Sequence, residues 1–276
     1  RGQTVHAINP SRGIAAELRM SAGDRMKASW EDEYLISFHQ VDSKNEVFLP
    51  VLWSFMQETA WHHADHLRLG YSDLMEQQNF WVLSRLSVQM EEYPRWGDRI
   101  RVKTWLTGTG RLFAFRQFSI ADLSSKILGI ARSAWLVLDL KSRKPQKIEP
   151  LFKPVLHLFD PLSPAEEPEK LPAPTQPAST KSYGVRYSDI DIHHHVNNIR
   201  YIEWILDSVP LEMNQTHQIH TFEINFLAES SYEDVLLIET ETFQEFPPVF
   251  LHRVSREGEG KELCRARTGW KKGHLS

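Results

Sequence analysis

The chain has 276 residues, 41% hydrophobic and 11% aromatic, enough to bury one large core or two modest ones, which excludes a disordered or fibrous protein. A formal net charge of -4 supplies no global basic field for non-specific nucleic-acid binding, and the single cysteine, Cys264, excludes an internal disulfide or a cysteine-pair metal or redox centre. The longest apolar runs, such as 134–138, are far too short to cross a bilayer, so a protein without membrane attachment, in a reducing and cytoplasmic setting, is expected.

Residues 1–29 show no hydrophobic period and are set aside as an N-terminal extension. A first unit is expected over 30–150. It opens with a short extended segment, followed by Leu49, Leu52, Trp53, Met56, Ala60, Ala64 and Leu67 at the spacing of one helix face. Glu58, His62, His63 and His66 share that helix but lie off the apolar stripe, and are read as surface groups rather than metal ligands. Alternating stretches over 80–90, 99–106, 112–121 and 127–138 then read as strands. Prolines crowd 151–180, where they can neither donate to a sheet ladder nor continue a helix, so a linker is expected. The second unit, 181–276, repeats the order: an extended segment, a helix stripe of Ile199, Ile202, Ile205, Leu206 and Val209, then strands over 220–227, 235–243, 249–256 and 262–270. Ala131-Arg132-Ser133-Ala134-Trp135 matches Ala266-Arg267-Thr268-Gly269-Trp270, which anchors the duplication. A helix followed by antiparallel strands is an α+β unit. Two such units fit a tandem hotdog, each a curved sheet wrapped around a central helix.

The stretch 185–206 carries the densest chemistry. If 190–196 is extended, Asp191, His193 and His195 share one face, and the free NH groups of the following helix start would favour an oxyanion. Asn197 and Asn198 read as helix caps. Imidazoles and carboxylates also ligate zinc or iron, but no further cluster at ligand spacing supports a metal. Glu229 stands where a strand ends. Pairing Trp96-Gly97-Asp98 with Tyr232-Glu233-Asp234 sets Tyr93 opposite Glu229, and 41–46 replaces the Asp/His/His segment, so one site per chain is expected, in the second unit.

The segment Asp191-Ile192-His193-His194-His195-Val196-Asn197-Asn198, with Gln57-Glu58-Thr59-Ala60, Tyr93-Pro94-Arg95-Trp96-Gly97-Asp98 and Lys103-Thr104-Trp105, resembles the acyl-acyl-carrier-protein (acyl-ACP) thioesterases of plants and bacteria. The likeness runs in the same order over about 30–270. It implies a catalytic set of Asp191, His193, His195 and Glu229, with Glu229 as general base, or as nucleophile in a variant mechanism. His193 stands where that family usually has Asn. Ser230 stands where plant members carry a cysteine, and Cys264 lies on another strand, so a cysteine nucleophile is not expected. The resemblance places an acyl pocket in the first unit, for which Trp53, Met56, Trp81 and Leu83 are candidates that serve equally well as plain core. It implies an acidic carrier protein bearing acyl-phosphopantetheine as partner, for which Arg253, Arg256, Arg265, Arg267 and Lys271 are the candidate basic surface. No cofactor and no metal are expected, and a homodimer is compatible. An acyl-CoA thioesterase, a hotdog hydratase and a non-catalytic acyl-binding protein remain as rivals.

Overall fold

The computed structural model describes residues 26–159 and 167–273, so the expected extension lies outside the described residues except for its last four. The strands are β1 (Ser29–Leu35), β2 (Asn79–Met90), β3 (Arg99–Thr109), β4 (Phe113–Asp122), β5 (Ile127–Asp139), β6 (Ser179–Gly184), β7 (His217–Phe226), β8 (Val235–Gln244), β9 (Val249–Arg256) and β10 (Glu262–Lys272). They form one antiparallel sheet in the order β1-β3-β4-β5-β2-β7-β10-β9-β8-β6. Reading that order from either end gives the same sequence of equivalent strands, as the duplication requires. The halves meet where β2 pairs with β7, from Arg85 opposite Asn225 to Gln89 opposite Thr221.

Local pattern explains the elements. On β3, Ile100, Val102, Thr104 and Leu106 are buried while Arg99 and Lys103 face solvent, the two-residue alternation of a sheet with one covered face. Helix α1 (Leu49–His66) opens with Pro50 in its first turn, where a missing NH costs nothing, and buries Leu52, Trp53, Met56 and Ala60 against the sheet. A shorter helix, α2 (Tyr71–Glu76), leads into β2. In the second half, α4 (Asn198–Ser208) buries Tyr201, Ile202, Trp204 and Ile205, and the Asn197 side chain accepts the Ile199 NH at 3.0 Å, confirming the cap expected there. A last short helix, α5 (Leu211–Thr216), precedes β7. Both central helices and both half-sheets contribute to a single continuous core.

Two expectations need correction. The stretch 151–180, read as a plain linker, starts inside α3 (Glu149–Phe152), continues as a 3-10 turn over Lys153–Leu158, and buries Phe152, Val155 and Leu171. Pro150 and Pro154 stand in first turns, where proline is at home; proline counting misread helix starts as absence of structure. His63, expected at the surface, is fully buried: its Nδ1 lies 3.0 Å from a guanidinium nitrogen of Arg116 and its Nε2 3.0 Å from the Lys27 carbonyl. The underside of α1 therefore covers polar groups as well as apolar ones.

These buried imidazoles have consequences for stability. Burial, and then the Arg116 charge, push His63 down to about 3, and burial alone pushes His252 down to about 3 among Ser208, Thr240 and Thr268. Each stays neutral in the folded chain but takes a proton in the unfolded one. Their contribution is full above the ordinary pKa of 6.5 and is lost as pH falls from there toward about 3. Urea titrations are expected to show unfolding free energy falling with pH by up to about 1.4 kcal/mol per unit for each imidazole. His252→Gln should flatten that slope. At the seam between the halves, Phe222→Ala, which empties a fully buried site on β7, is expected to cost about 3–5 kcal/mol in one cooperative transition seen by probes in both halves.

Candidate active site

The segment 190–196 is not extended. It is a tight turn closed by a bridge between Ile190 and Val196. The Asp191 NH donates to the His195 carbonyl at 2.9 Å, the His194 NH to the Asp191 carbonyl at 3.0 Å, and the His193 NH to Asp191 Oδ1 at 2.8 Å. His194 takes the left-handed conformation at φ 62°. The Asp191 carboxylate offers the chain a local acceptor, and three consecutive histidines supply no apolar alternation to hold a strand, so the turn wins. The shared face expected for Asp191, His193 and His195 does not form. His193 packs against the rings of Tyr71 and Phe80, at 5.6 and 6.2 Å between centroids, while His195 turns toward Glu229. Oδ1 of the Asp191 carboxylate serves the turn, and no bond from the carboxylate to His195 or Glu229 is present among the described residues.

The first half builds the same turn. Asp42 Oδ1 accepts the NH groups of Lys44 and Glu46 at 2.8 and 3.0 Å, Asn45 has φ 62°, and Val41 bridges Val47. The Val47 NH binds the Pro94 carbonyl at 2.9 Å, just as the Val196 NH binds that of Ser230 at 3.0 Å. Tyr93 is thereby the counterpart of Glu229, and Glu46 of His195, the alignment expected from the repeat. What fills the two positions differs. Burial drives the Tyr93 hydroxyl well up from its usual range and it has no hydrogen-bond partner among the described residues, while Glu46 is bonded by Gln218 and lies 3.7 Å from Lys44. The first half carries the frame of the site with its chemistry closed off.

In the second half the frame delivers Glu229 Oε2 to 3.2 Å from His195 Nε2. The Glu229 loop is held by the Leu227 and Ala228 NH groups, both on the Leu263 carbonyl, and by Arg256, which donates to the Glu229 carbonyl at 3.2 Å. A third group, Arg143, was not anticipated. It comes from the turn after β5 in the first half, at φ 56°. Its Nη2 donates to Glu229 Oε2 at 2.5 Å and lies 3.2 Å from His195 Nε2, with its guanidinium 4.8 Å from the centre of the Phe80 ring. The side chains of His195, Glu229 and Arg143 are 27%, 40% and 41% exposed, so the constellation sits at an open rim. The only sequence signal for Arg143 is the acid-free basic stretch 141–147. Nothing local links it to a glutamate 86 residues away.

The other candidates divide. At the helix start, the NH groups of Val196, Asn197, Ile199 and Arg200 are engaged, which leaves the Asn198 NH as the first-turn donor without a partner among the described residues. Asn198 itself accepts from Trp53 Nε1 at 2.9 Å through its side chain, joining the two halves. Ser230 is buried with its hydroxyl 2.6 Å from that of Tyr201, and burial holds the Cys264 thiol far above its usual range, so neither is a nucleophile. Trp53, Met56 and Leu83 lie together in the main core, whereas Trp81 packs in a separate cluster on Phe152 and donates to the Leu69 carbonyl. The five basic residues of β9 and β10 expected to face the carrier are each matched by an acid: Arg253 by Glu239, Arg256 by Asp234, Arg265 by Glu262, Arg267 by Glu223, and Lys271 by Glu91.

Comparison with known proteins places this architecture. The acyl-ACP thioesterase N-terminal domain matches residues 27–153, and the acyl-ACP thioesterase C-terminal domain matches 173–272. The chain is 25% identical to the chloroplastic oleoyl-acyl carrier protein thioesterase 1 of Arabidopsis thaliana, over 94% of this chain and 80% of that one. An acyl-ACP thioesterase structure from Bacteroides thetaiotaomicron superposes with a TM-score of 0.78 at 32% identity, covering 88% of this chain and 98% of that one. The 12:0-ACP thioesterase of Umbellularia californica superposes with a TM-score of 0.81 at 24% identity, over 89% and 95%, and so shares the fold. With two domain models in tandem and a tandem hotdog sheet, the chain belongs to the acyl-ACP thioesterase family, whose reaction is hydrolysis of acyl-ACP thioesters.

Proposed function

We propose that this chain cleaves the acyl-ACP thioester by general-base attack of water, with Glu229 as the base, His195 as its partner and Arg143 as the group that positions both. The observation that carries this is the contact of Glu229 with His195 at 3.2 Å beneath the Arg143 guanidinium. A guanidinium can only donate. Its approach to His195 Nε2 therefore requires the lone pair of a neutral imidazole protonated on Nδ1, whereas a proton on Nε2 would go to Glu229 instead. A water held by the carboxylate attacks the thioester carbonyl and Glu229 takes its proton. As the tetrahedral intermediate collapses, the carbon–sulfur bond breaks and that proton passes to the departing pantetheine sulfur, giving the free acid and the thiol. The Asn198 NH is the helix-start donor left over for the developing oxyanion.

Magnitudes separate this reading from a structural one. An ion pair this exposed contributes at most about 1 kcal/mol to folding. Arg143→Ala is therefore expected to leave the melting temperature nearly unchanged while lowering kcat by about one to two orders of magnitude, with Arg143→Lys recovering part of it. Glu229→Gln should lower thiol release by about a hundredfold or more with folding intact. Turnover close to wild type in Glu229→Gln would remove the base from this scheme. Asp191 and Asp42 build matching turns, so Asp191→Ala and Asp42→Ala should each cost about 1 kcal/mol in denaturant titrations. Only Asp191→Ala should depress turnover, because only its turn carries a catalytic imidazole. Equal loss of activity in both variants would contradict the assignment.

A further inference from the structure

We propose that the turn 141–147, which carries Arg143 into the site, is the surface on which the acidic face of the acyl carrier protein docks. The proposal rests on the hydrolase reading above. Lys141, Arg143, Lys144 and Lys147 bring four cations into seven residues with no acid among them, and all four are exposed. Among the described residues, Lys141, Lys144 and Lys147 make no ion pair. Two acids flank the stretch, each two residues from its end: Asp139, whose carboxylate is engaged by the Ser142 NH and hydroxyl, both at 2.6 Å, and Glu149, the first residue of α3. The contrast with β9 and β10 is direct, since each basic residue expected to serve the carrier there is matched to a carboxylate.

The turn is also held in place. The Arg143 NH donates to the Asp139 carbonyl at 2.9 Å, the Asp139 NH to the Lys144 carbonyl at 3.0 Å, and the Gln146 NH to the Val137 carbonyl at 2.8 Å, while Pro145 bridges Leu138. A backbone already held loses little freedom when a partner arrives. Through Arg143 the turn reaches the Glu229 carboxylate by a single side chain, so the segment that carries the lysines adjoins the site to which the phosphopantetheine arm must deliver its thioester. An acidic protein delivering that arm meets unpaired positive charge at the place where the thioester has to enter.

The test uses the full chain with Lys141→Glu, Lys144→Glu and Lys147→Glu combined. Holo acyl carrier protein binding is read by fluorescence anisotropy, and thiol release is followed on acyl-pantetheine, which has the thioester without the protein. Carrier affinity is expected to fall by about tenfold or more and to lose most of its salt dependence, with acyl-pantetheine turnover within about twofold of wild type. Unchanged carrier affinity, or weakening produced instead by Arg267→Gln with Lys271→Gln, would overturn the assignment. Should the reversal impair folding, the three Lys→Gln substitutions give the same comparison with a smaller charge change. A wild-type chain that released no thiol from acyl-pantetheine would sink the hydrolase reading, and the binding comparison would still decide the docking surface.

Discussion

The antiparallel pairing of β2 with β7 is the constraint on which the rest of the molecule depends. Apart, each half would end in an edge strand with open hydrogen-bonding groups, a site of uncontrolled association. Joined from Arg85 opposite Asn225 to Gln89 opposite Thr221, the halves become one sheet whose main core draws on both. The seam also sets α1 and α4 close enough for Trp53 to donate to Asn198. It brings the turn after β5 over the second half, which is how an arginine from one unit comes to bond a glutamate of the other.

Within that frame the duplication has diverged by side chain rather than by backbone. The turns at Asp42 and Asp191 share their backbone bonds, a carboxylate that accepts the NH two residues on, and a left-handed residue at the same place; the Asp42 carboxylate also accepts the Glu46 NH. The loops behind them, at Tyr93 and Glu229, are tied by equivalent backbone bonds. In one copy the paired positions hold a buried phenol and a glutamate enclosed by Gln218 and Lys44; in the other they hold an imidazole and a carboxylate open to solvent. A carboxylate in this turn is thus a builder first. In the proposed mechanism its bearing on chemistry comes through where it puts the residue four positions later.

The polar groups fall into two physical classes. His252, and His63 with Arg116, are buried under the helices; burial drives both imidazoles to the neutral form and lowers Arg116 to about 9. These groups belong to the fold and make it sensitive to acid. Arg143, Glu229 and His195 lie at the rim, where solvent screening leaves little folding energy in their contacts. Groups that do little for stability and yet converge within 3.2 Å are suited to a reacting molecule, which supplies the missing desolvation when it binds.

What the sequence by itself determined is the material governed by local periodicity. The helix stripes of 49–67 and 199–209, the strands on either side, the duplication and the cap at Asn197 follow from spacing alone, because amphipathic period is a property of neighbours along the chain. Residue order also singled out His195 and Glu229, through the repeat and the family resemblance. Tertiary structure decided the rest. The 190–196 segment became a turn because an aspartate acceptor outweighed a weak alternation. His63 went inside because the sheet brought Arg116 beneath α1. Five cations of β9 and β10 lost their free charge because the fold set each against an acid. Arg143 joined the site because a ten-stranded sheet carries one half's turn across to the other, a distance in sequence that no local rule spans.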